Sequence, residues 1–265
     1  MKLRNKVVLV TAASRGIGLA IARTCAKEGA SVYIASRELE QVQEEAEKLE
    51  AEGYRAKGVY NDAYVSRSYT TMVEDVIQDA GRIDVLVNNF GTSNPNKDLD
   101  VANTDVNVFL ETVNLNLRSV FLSSQEVIPH MVNRGGGSII NISSIGGLVP
   151  DVSQVAYGTS KAAINHLTKL IAVQEAKHNI RCNAILPGMT ATASVEKNLT
   201  GEFKELFLRH IPFKRMAMPE EMAAAVVYFA SDESSYVTGQ LLTVSGGFGL
   251  ATPIYGDIAE WTKQR

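Results

Sequence analysis

A chain of 265 residues, 45% hydrophobic and 21% charged with a formal net charge of -3, is long enough to bury one large core in a single domain spanning 1–265. The slightly acidic balance excludes the basic footprint of a nucleic-acid binder, and the apolar content excludes a disordered chain. No stretch is apolar over transmembrane length and the first apolar run is too short for a signal peptide, so no membrane partner is expected and the expected location is the cytoplasm.

In chain order, β-branched runs alternate with longer amphipathic stretches. The runs are Val7-Val8-Leu9-Val10, Val32-Tyr33-Ile34-Ala35, Ala56 to Tyr60, Val85-Leu86-Val87, Ser138 to Ile142, Arg181 to Ile185 and Leu241-Leu242-Thr243-Val244. Between them, helices are predicted over Ile17 to Glu28, Glu38 to Glu52, Ser66 to Asp79, Thr104 to Asn133 and Val155 to His178. This βαβ rhythm predicts an α/β fold: a Rossmann-like, doubly wound parallel sheet of about seven strands, each buried on both faces, with helices on both sides. The charges Glu40, Glu44, Glu45, Glu47, Lys48 and Glu50 form one solvated helix face. From Met189 to Pro219 the rhythm breaks into short helical pieces, so residues 189–219 are expected to cover a substrate, with 248–265 as a C-terminal tail. Cys25 and Cys182 lie in apolar runs without metal-ligand spacing, which predicts buried thiols and no metal.

The first strand runs into Thr11-Ala12-Ala13-Ser14-Arg15-Gly16-Ile17-Gly18 and then a helix, the context of a dinucleotide-binding turn. Glycines let the backbone and the positive helix N-terminus approach a pyrophosphate. After the second strand an NAD site places an acid on the ribose hydroxyls. Here the chain reads Ser36-Arg37, with Arg15 within reach from the glycine turn. Two arginines and no acid at this place suit a 2′-phosphate and predict NADP(H) as cofactor.

Tyr157-Gly158-Thr159-Ser160-Lys161 opens a helix, which sets Tyr157 and Lys161 on one face. A tyrosine titrates near ~10, so base action near neutrality needs a drop of about two to three units, part of which a neighbouring cation supplies. The fifth strand ends in Asn141-Ile142-Ser143-Ser144, bringing a hydroxyl to the carboxyl edge of the sheet, where open α/β folds bind ligands.

The glycine turn, Asn88-Asn89-Phe90-Gly91, Ser144, Tyr157 with Lys161 and Pro187-Gly188, in this order from about Lys6 to Gly247, resemble the short-chain dehydrogenase/reductase family. That resemblance implies a catalytic tetrad of Asn116, Ser144, Tyr157 and Lys161, with Ser144 chosen over Ser143 by its spacing to Tyr157. It further implies that Asn116 holds a water linking Lys161 to solvent and that Lys161 bonds the nicotinamide ribose. Asp62 and Ala63 fall at the adenine contact, Asn89 and Gly91 on the adenosine side, and Pro187, Gly188 and Thr192 at the carboxamide end. A homotetramer is implied as well.

Two positions depart from the family pattern: Ala12 stands for a glycine, and Phe90 for an alanine. A methyl at Ala12 fits where φ is negative, and altered cofactor affinity is the expectation. The segments Asn88 to Asn94, Ile142 to Gly146, Val149 to Asp151 and Gly246 to Pro253 are similar to the family's clostridial hydroxysteroid dehydrogenases, which implies oxidation and reduction at the 7α position of bile acids. The alternatives are a 3-oxoacyl-(acyl carrier protein) or other small-ketone reductase, and a non-catalytic cofactor-sensing protein on the same fold.

Overall fold

The computed structural model describes residues 1–198, 200–252 and 254–262; Leu199, Pro253 and 263–265, the last two groups within the expected tail, lie outside the described residues. Among these the strands are β1 (Val7–Val10), β2 (Ser31–Ser36), β3 (Arg55–Tyr60), β4 (Val85–Asn88), β5 (Gly137–Ile142), β6 (Ile180–Pro187) and β7 (Leu241–Val244). They form one sheet in the order β3-β2-β1-β4-β5-β6-β7, and all pairs are parallel.

Alternate residues of each inner strand feed opposite cores, because side chains of a strand point to opposite faces. Val8 and Val10 pack with α1 (Gly16–Lys27), α2 (Leu39–Ala51) and α8 (Pro219–Ala230). Val7 and Leu9 pack with α3 (Arg67–Ala80), α4 (Val106–Arg134) and α5 (Val155–Glu175). Leu9 pairs with Leu86 across β1 and β4, and both are fully buried. Truncating either to alanine costs roughly 2–5 kcal/mol. The thiols of Cys25 and Cys182 are free and buried, one in each core.

Two expectations are corrected here. The edge strands are not buried on both faces: Arg55, Lys57 and Tyr60 of β3 and Leu242 and Thr243 of β7 are exposed, because an edge has a neighbour on one side only. The acidic face of α2 is not uniformly solvated either. Glu45 is buried, and although burial opposes its charge, hydrogen bonds from Lys48 and Arg23 hold its carboxyl below the usual range.

Helix α8 was absent from the expected elements, although Pro219 at its first position and Glu220 and Glu221 in its first turn are N-terminal signals. The segment after β6 carries α6 (Ala193–Asn198) and α7 (Gly201–Arg209), and the chain closes with α9 (Tyr255–Thr262). Strand order reverses between β1 and β4, and this opens a crevice at their carboxyl ends, where the site lies.

Candidate active site

The glycine turn is built from both sides of that crevice. The backbone N–H of Asn89 donates to Thr11 Oγ1 at 3.0 Å, and Asn89 Nδ2 donates to the Ala12 carbonyl at 2.9 Å. A Cβ on Gly18 would lie 2.5 Å from Asn89 Nδ2 and 2.8 Å from the Ala12 oxygen, so only glycine lets α1 come this close to the β4 loop. Gly16 has φ of 59°, with Thr192 facing it across the turn. Ala12 has φ of 50°, which corrects the expectation of a negative angle: its methyl sits in the left-handed region, held there by the Asn89 bond. This open, positively terminated turn fits a dinucleotide's pyrophosphate.

The neighbouring subsite overturns the reading of two arginines without an acid. Glu38 lies between them, its Oε1 3.8 Å from Arg15 and 3.9 Å from Arg37. Its Oε2 accepts from Ser14 Oγ at 2.9 Å and from Ser36 Oγ at 3.5 Å. The acid stands one residue beyond Arg37, directly before α2. Farther along the same edge, Asp62 Oδ1 accepts from the Tyr64 N–H at 2.9 Å, and the Ala63 carbonyl accepts from Arg118 at 2.7 Å, which ties the loop after β3 to α4.

On the other side of the crevice the two serines after β5 divide their work. Ser143 is buried and donates to the Lys161 carbonyl at 3.1 Å, anchoring α5. Ser144 accepts from the Gly146 N–H at 3.1 Å and hydrogen-bonds the Tyr157 phenol. Lys161 is buried, donates to the Ile142 carbonyl at 3.0 Å and stands 5.6 Å from the centre of the Tyr157 ring. Burial lowers its pKa to about 8. Burial also pushes the Tyr157 phenol above its ordinary value, against the pull of the Ser144 bond. The net shift is thus opposite to the expected lowering, because burial outweighs the favourable contacts.

Asn116 is fully buried in α4, where its Oδ1 accepts from the Thr92 N–H at 2.8 Å and its Nδ2 donates to the Thr92 carbonyl and to Ser160 Oγ, both at 2.9 Å. Both amide hydrogens are thus taken by protein partners, and the side chain pins the loop after β4 to α5.

A residue with no local signal completes the site. Asp98, fully buried, accepts from the Ala156 N–H at 2.8 Å and the Tyr157 N–H at 2.9 Å, capping α5 from outside its own sequence. The residue at the cap position, Gln154, sits at φ of 60° and makes no side-chain cap.

These walls enclose a cavity of about 900 Å³. Of the expected residues it brings together Ile17, Asn89, Gly91, Ser144, Tyr157, Lys161, Pro187, Gly188 and Thr192. Thr11, Ser14, Arg15, Gly16, Gly18, Ser36, Arg37, Asp62, Ala63 and Asn116 stand behind or beside it, and Phe90 is half-buried outside its lining. Leu148, Val149, Val152, Phe207 and Phe248 add apolar surface to the lining, beside the polar groups of Asp100, Asp151, Ser153 and Gln154. The segment after β6 is closed by a bridge between Thr190 and Ala217, and the Phe213 N–H donates to the Gly246 carbonyl at 3.2 Å. Phe207 on α7 stacks on Phe248 at 4.8 Å between ring centroids, and Arg209 pairs with Asp257 of α9 at 3.1 Å. No helix among the described residues is long and apolar enough to cross a membrane.

A doubly wound parallel sheet whose glycine turn faces a Ser/Tyr/Lys cluster across one crevice defines an oxidoreductase of the Rossmann type. A family model described as enoyl-(acyl carrier protein) reductase matches residues 11–249. The 7α-hydroxysteroid dehydrogenase of Clostridium sardiniense is 48% identical over 97% of this chain and 98% of its own length. That of Paraclostridium sordellii is 49% identical over 97% of this chain and 96% of its own. A solved 7α-hydroxysteroid dehydrogenase complexed with NADH and 7-oxo glycochenodeoxycholic acid superposes with a TM-score of 0.88 at 32% identity, covering 93% of this chain and 95% of that one. The chain belongs to the short-chain dehydrogenase/reductase family.

Proposed function

We propose that this oxidoreductase interconverts the 7α-hydroxyl of bile acids and the corresponding 7-ketone, with NADP(H) as cofactor and Asn116, Ser144, Tyr157 and Lys161 as its catalytic residues. The observation that carries the reading is the placement of Ser144, Tyr157 and Lys161 in a cavity of about 900 Å³ that also presents the apolar surface of Leu148, Val149, Val152, Phe207 and Phe248. A rigid steroid nucleus needs such apolar lining, since burial of its surface gains roughly 25 cal/mol per Å² and few polar anchors suffice. The similarity to enzymes named for that substrate supports the same reading.

A nicotinamide cofactor, when bound, supplies or takes up the hydride. The glycine turn over Gly16 and Gly18 would hold its pyrophosphate, Arg15 and Arg37 its 2′-phosphate, and Pro187, Gly188 and Thr192 its carboxamide end. Ser144 donates to the substrate oxygen, and Tyr157 gives up the proton in reduction and takes it back in oxidation. The positive charge of Lys161 lowers the cost of the tyrosinate. The segment 189–219 and the tail from 248 close over the steroid, and the exposed apolar residues Phe121 of α4 and Leu170 and Val173 of α5 pair subunits into a homotetramer.

The test is oxidation of NADPH and of NADH followed with 7-keto bile acids, acetoacetyl thioesters and simple ketones. Turnover of the bile acids with NADPH at least roughly tenfold better than with NADH is expected, about 1.4 kcal/mol. Turnover of the thioester alone would make the protein a carrier-protein reductase. No turnover of any would make it a cofactor-sensing protein.

A further inference from the structure

The position of Glu38 is unusual for a residue that starts a helix. It is the residue before α2, where a carboxylate ordinarily caps its own helix, yet it makes no such bond. Its carboxylate turns instead toward the glycine turn, where two hydroxyl donors, Ser14 Oγ and Ser36 Oγ, and two guanidinium groups, Arg15 and Arg37, surround it. The turn is fixed from below, because the Glu38 N–H donates to Ser36 Oγ at 3.2 Å. Three elements that are separate in sequence, the glycine turn, the end of β2 and the start of α2, therefore aim donors at one acceptor.

Hydroxyls and guanidinium forks arranged around an anion are the donor set that a phosphate monoester takes. A carboxylate in the same place is what accepts ribose hydroxyls when no phosphate is present. Glu38 thus satisfies one requirement by opposing the other: with two arginines and one glutamate the subsite carries a single net positive charge, against the two it would carry without Glu38.

We propose that Glu38 is a built-in competitor for the 2′-phosphate: its carboxylate occupies the phosphate subsite, turns out when NADP(H) enters, and accepts the ribose hydroxyls when NAD(H) enters. The proposal rests on the reading of Arg15 and Arg37 as the phosphate-binding pair. In consequence the chain accepts both cofactors, and Glu38 sets how far the arginines favour the phosphorylated one.

Calorimetric titration with 2′,5′-ADP and with 5′-AMP separates the two ideas without any catalytic readout. Glu38→Gln removes the charge and keeps the shape, and Glu38→Ala removes both. Each is expected to bind 2′,5′-ADP at least about tenfold more tightly than wild type and 5′-AMP several-fold more weakly, which amounts to about 1.4 kcal/mol for the first ligand. Arg37→Ala is expected to weaken 2′,5′-ADP only. If Arg37→Ala weakens 2′,5′-ADP while both Glu38 variants leave it unchanged or weaker, the competitor proposal is overturned and the arginine reading stands. If Arg37→Ala leaves 2′,5′-ADP unchanged, the phosphate subsite itself is wrong, and the proposal goes with it.

Discussion

The carboxylate of Asp98 accepts the backbone N–H of Tyr157 at 2.9 Å, across 59 residues of chain. With its second oxygen on the Ala156 N–H it satisfies two of the orphan donors at the start of α5. Tyr157 therefore takes its position from the loop before α4 as much as from its own helix.

Asp98→Asn keeps the shape but offers one acceptor where two N–H groups need one each, at a cost of roughly 1–2 kcal/mol. Turnover is expected to fall about tenfold while the cofactor dissociation constant stays unchanged. Steady-state kinetics beside a thermal melt checks this. A lower melting temperature with unchanged kcat would show that Asp98 serves stability alone.

Tyr157→Phe removes the group that handles the proton and leaves its packing. Turnover is expected to vanish with cofactor binding nearly intact, since only a transition-state contact is lost. Ser144→Ala is expected to cost less, on the order of 10²–10³ in rate. A Tyr157→Phe enzyme that still turns over would refute this assignment of the acid/base role.

The lowered pKa of Lys161, about 8 against an ordinary 10.5, has a sign that two measurements read. The folded chain disfavours the charged lysine, so between about pH 8 and 10.5 the unfolded chain binds more protons, and stability rises with pH across that window. Activity moves the other way. Burial holds Tyr157 above its ordinary value, so reductive kcat/KM is expected to decline above pH 8 as Lys161 loses the charge that favours the tyrosinate. A reductive profile that stays flat to pH 9.5 would contradict the role given to Lys161.

The bond between Arg209 and Asp257 and the stack of Phe207 on Phe248 join the segment after β6 to the tail. Deleting the residues after Leu250 removes the first of these. The KM for a 7-keto bile acid is then expected to rise roughly tenfold or more, with NADPH affinity unchanged. An unchanged KM would separate the tail from substrate binding.

Assembly is tested at Val173, 80% exposed on α5. Val173→Glu places charge on the proposed subunit contact, and sedimentation is expected to show a tetramer for the wild-type chain and smaller species for the variant. A wild-type chain that sediments as a monomer at micromolar concentration would dismiss the tetramer.

The buried part of this fold was legible because burial leaves a periodic record. Val7 to Val10 alternate between two cores, and the glycine turn, Ser144, Tyr157 and Lys161 are short local patterns that bring their context with them. Legibility stopped where position depends on contacts distant in sequence. Asp98 is one acid among many until α5 is seen to begin beside it, and the taken-up carboxamide of Asn116 depends on Thr92 and Ser160. Glu38 is a different case: it stands next to Arg37, but a pattern that asks for an acid at one position does not register it at the next. Helix α8 showed its N-terminal signals, but Met222, Ala223, Val226 and Val227 continue an apolar run without a polar face strong enough to give a period.

The bridge between Thr190 and Ala217 closes most of the segment after β6 into a loop. Closure of this kind makes added length in the loop inexpensive, because the entropy of closing a loop grows slowly with length, about 0.6 kcal/mol for each doubling. Exposed positions of α7 such as Phe203 and Leu206 are thus open to change without moving Ser144, Tyr157 or Lys161, whereas Thr192, Ile211 and Phe213 are tied to the glycine turn and to the loop after β7. Under the proposed function, the chemistry and part of the choice of substrate are housed in separately variable parts of one chain, and a change of diet for the enzyme needs no change in its machinery.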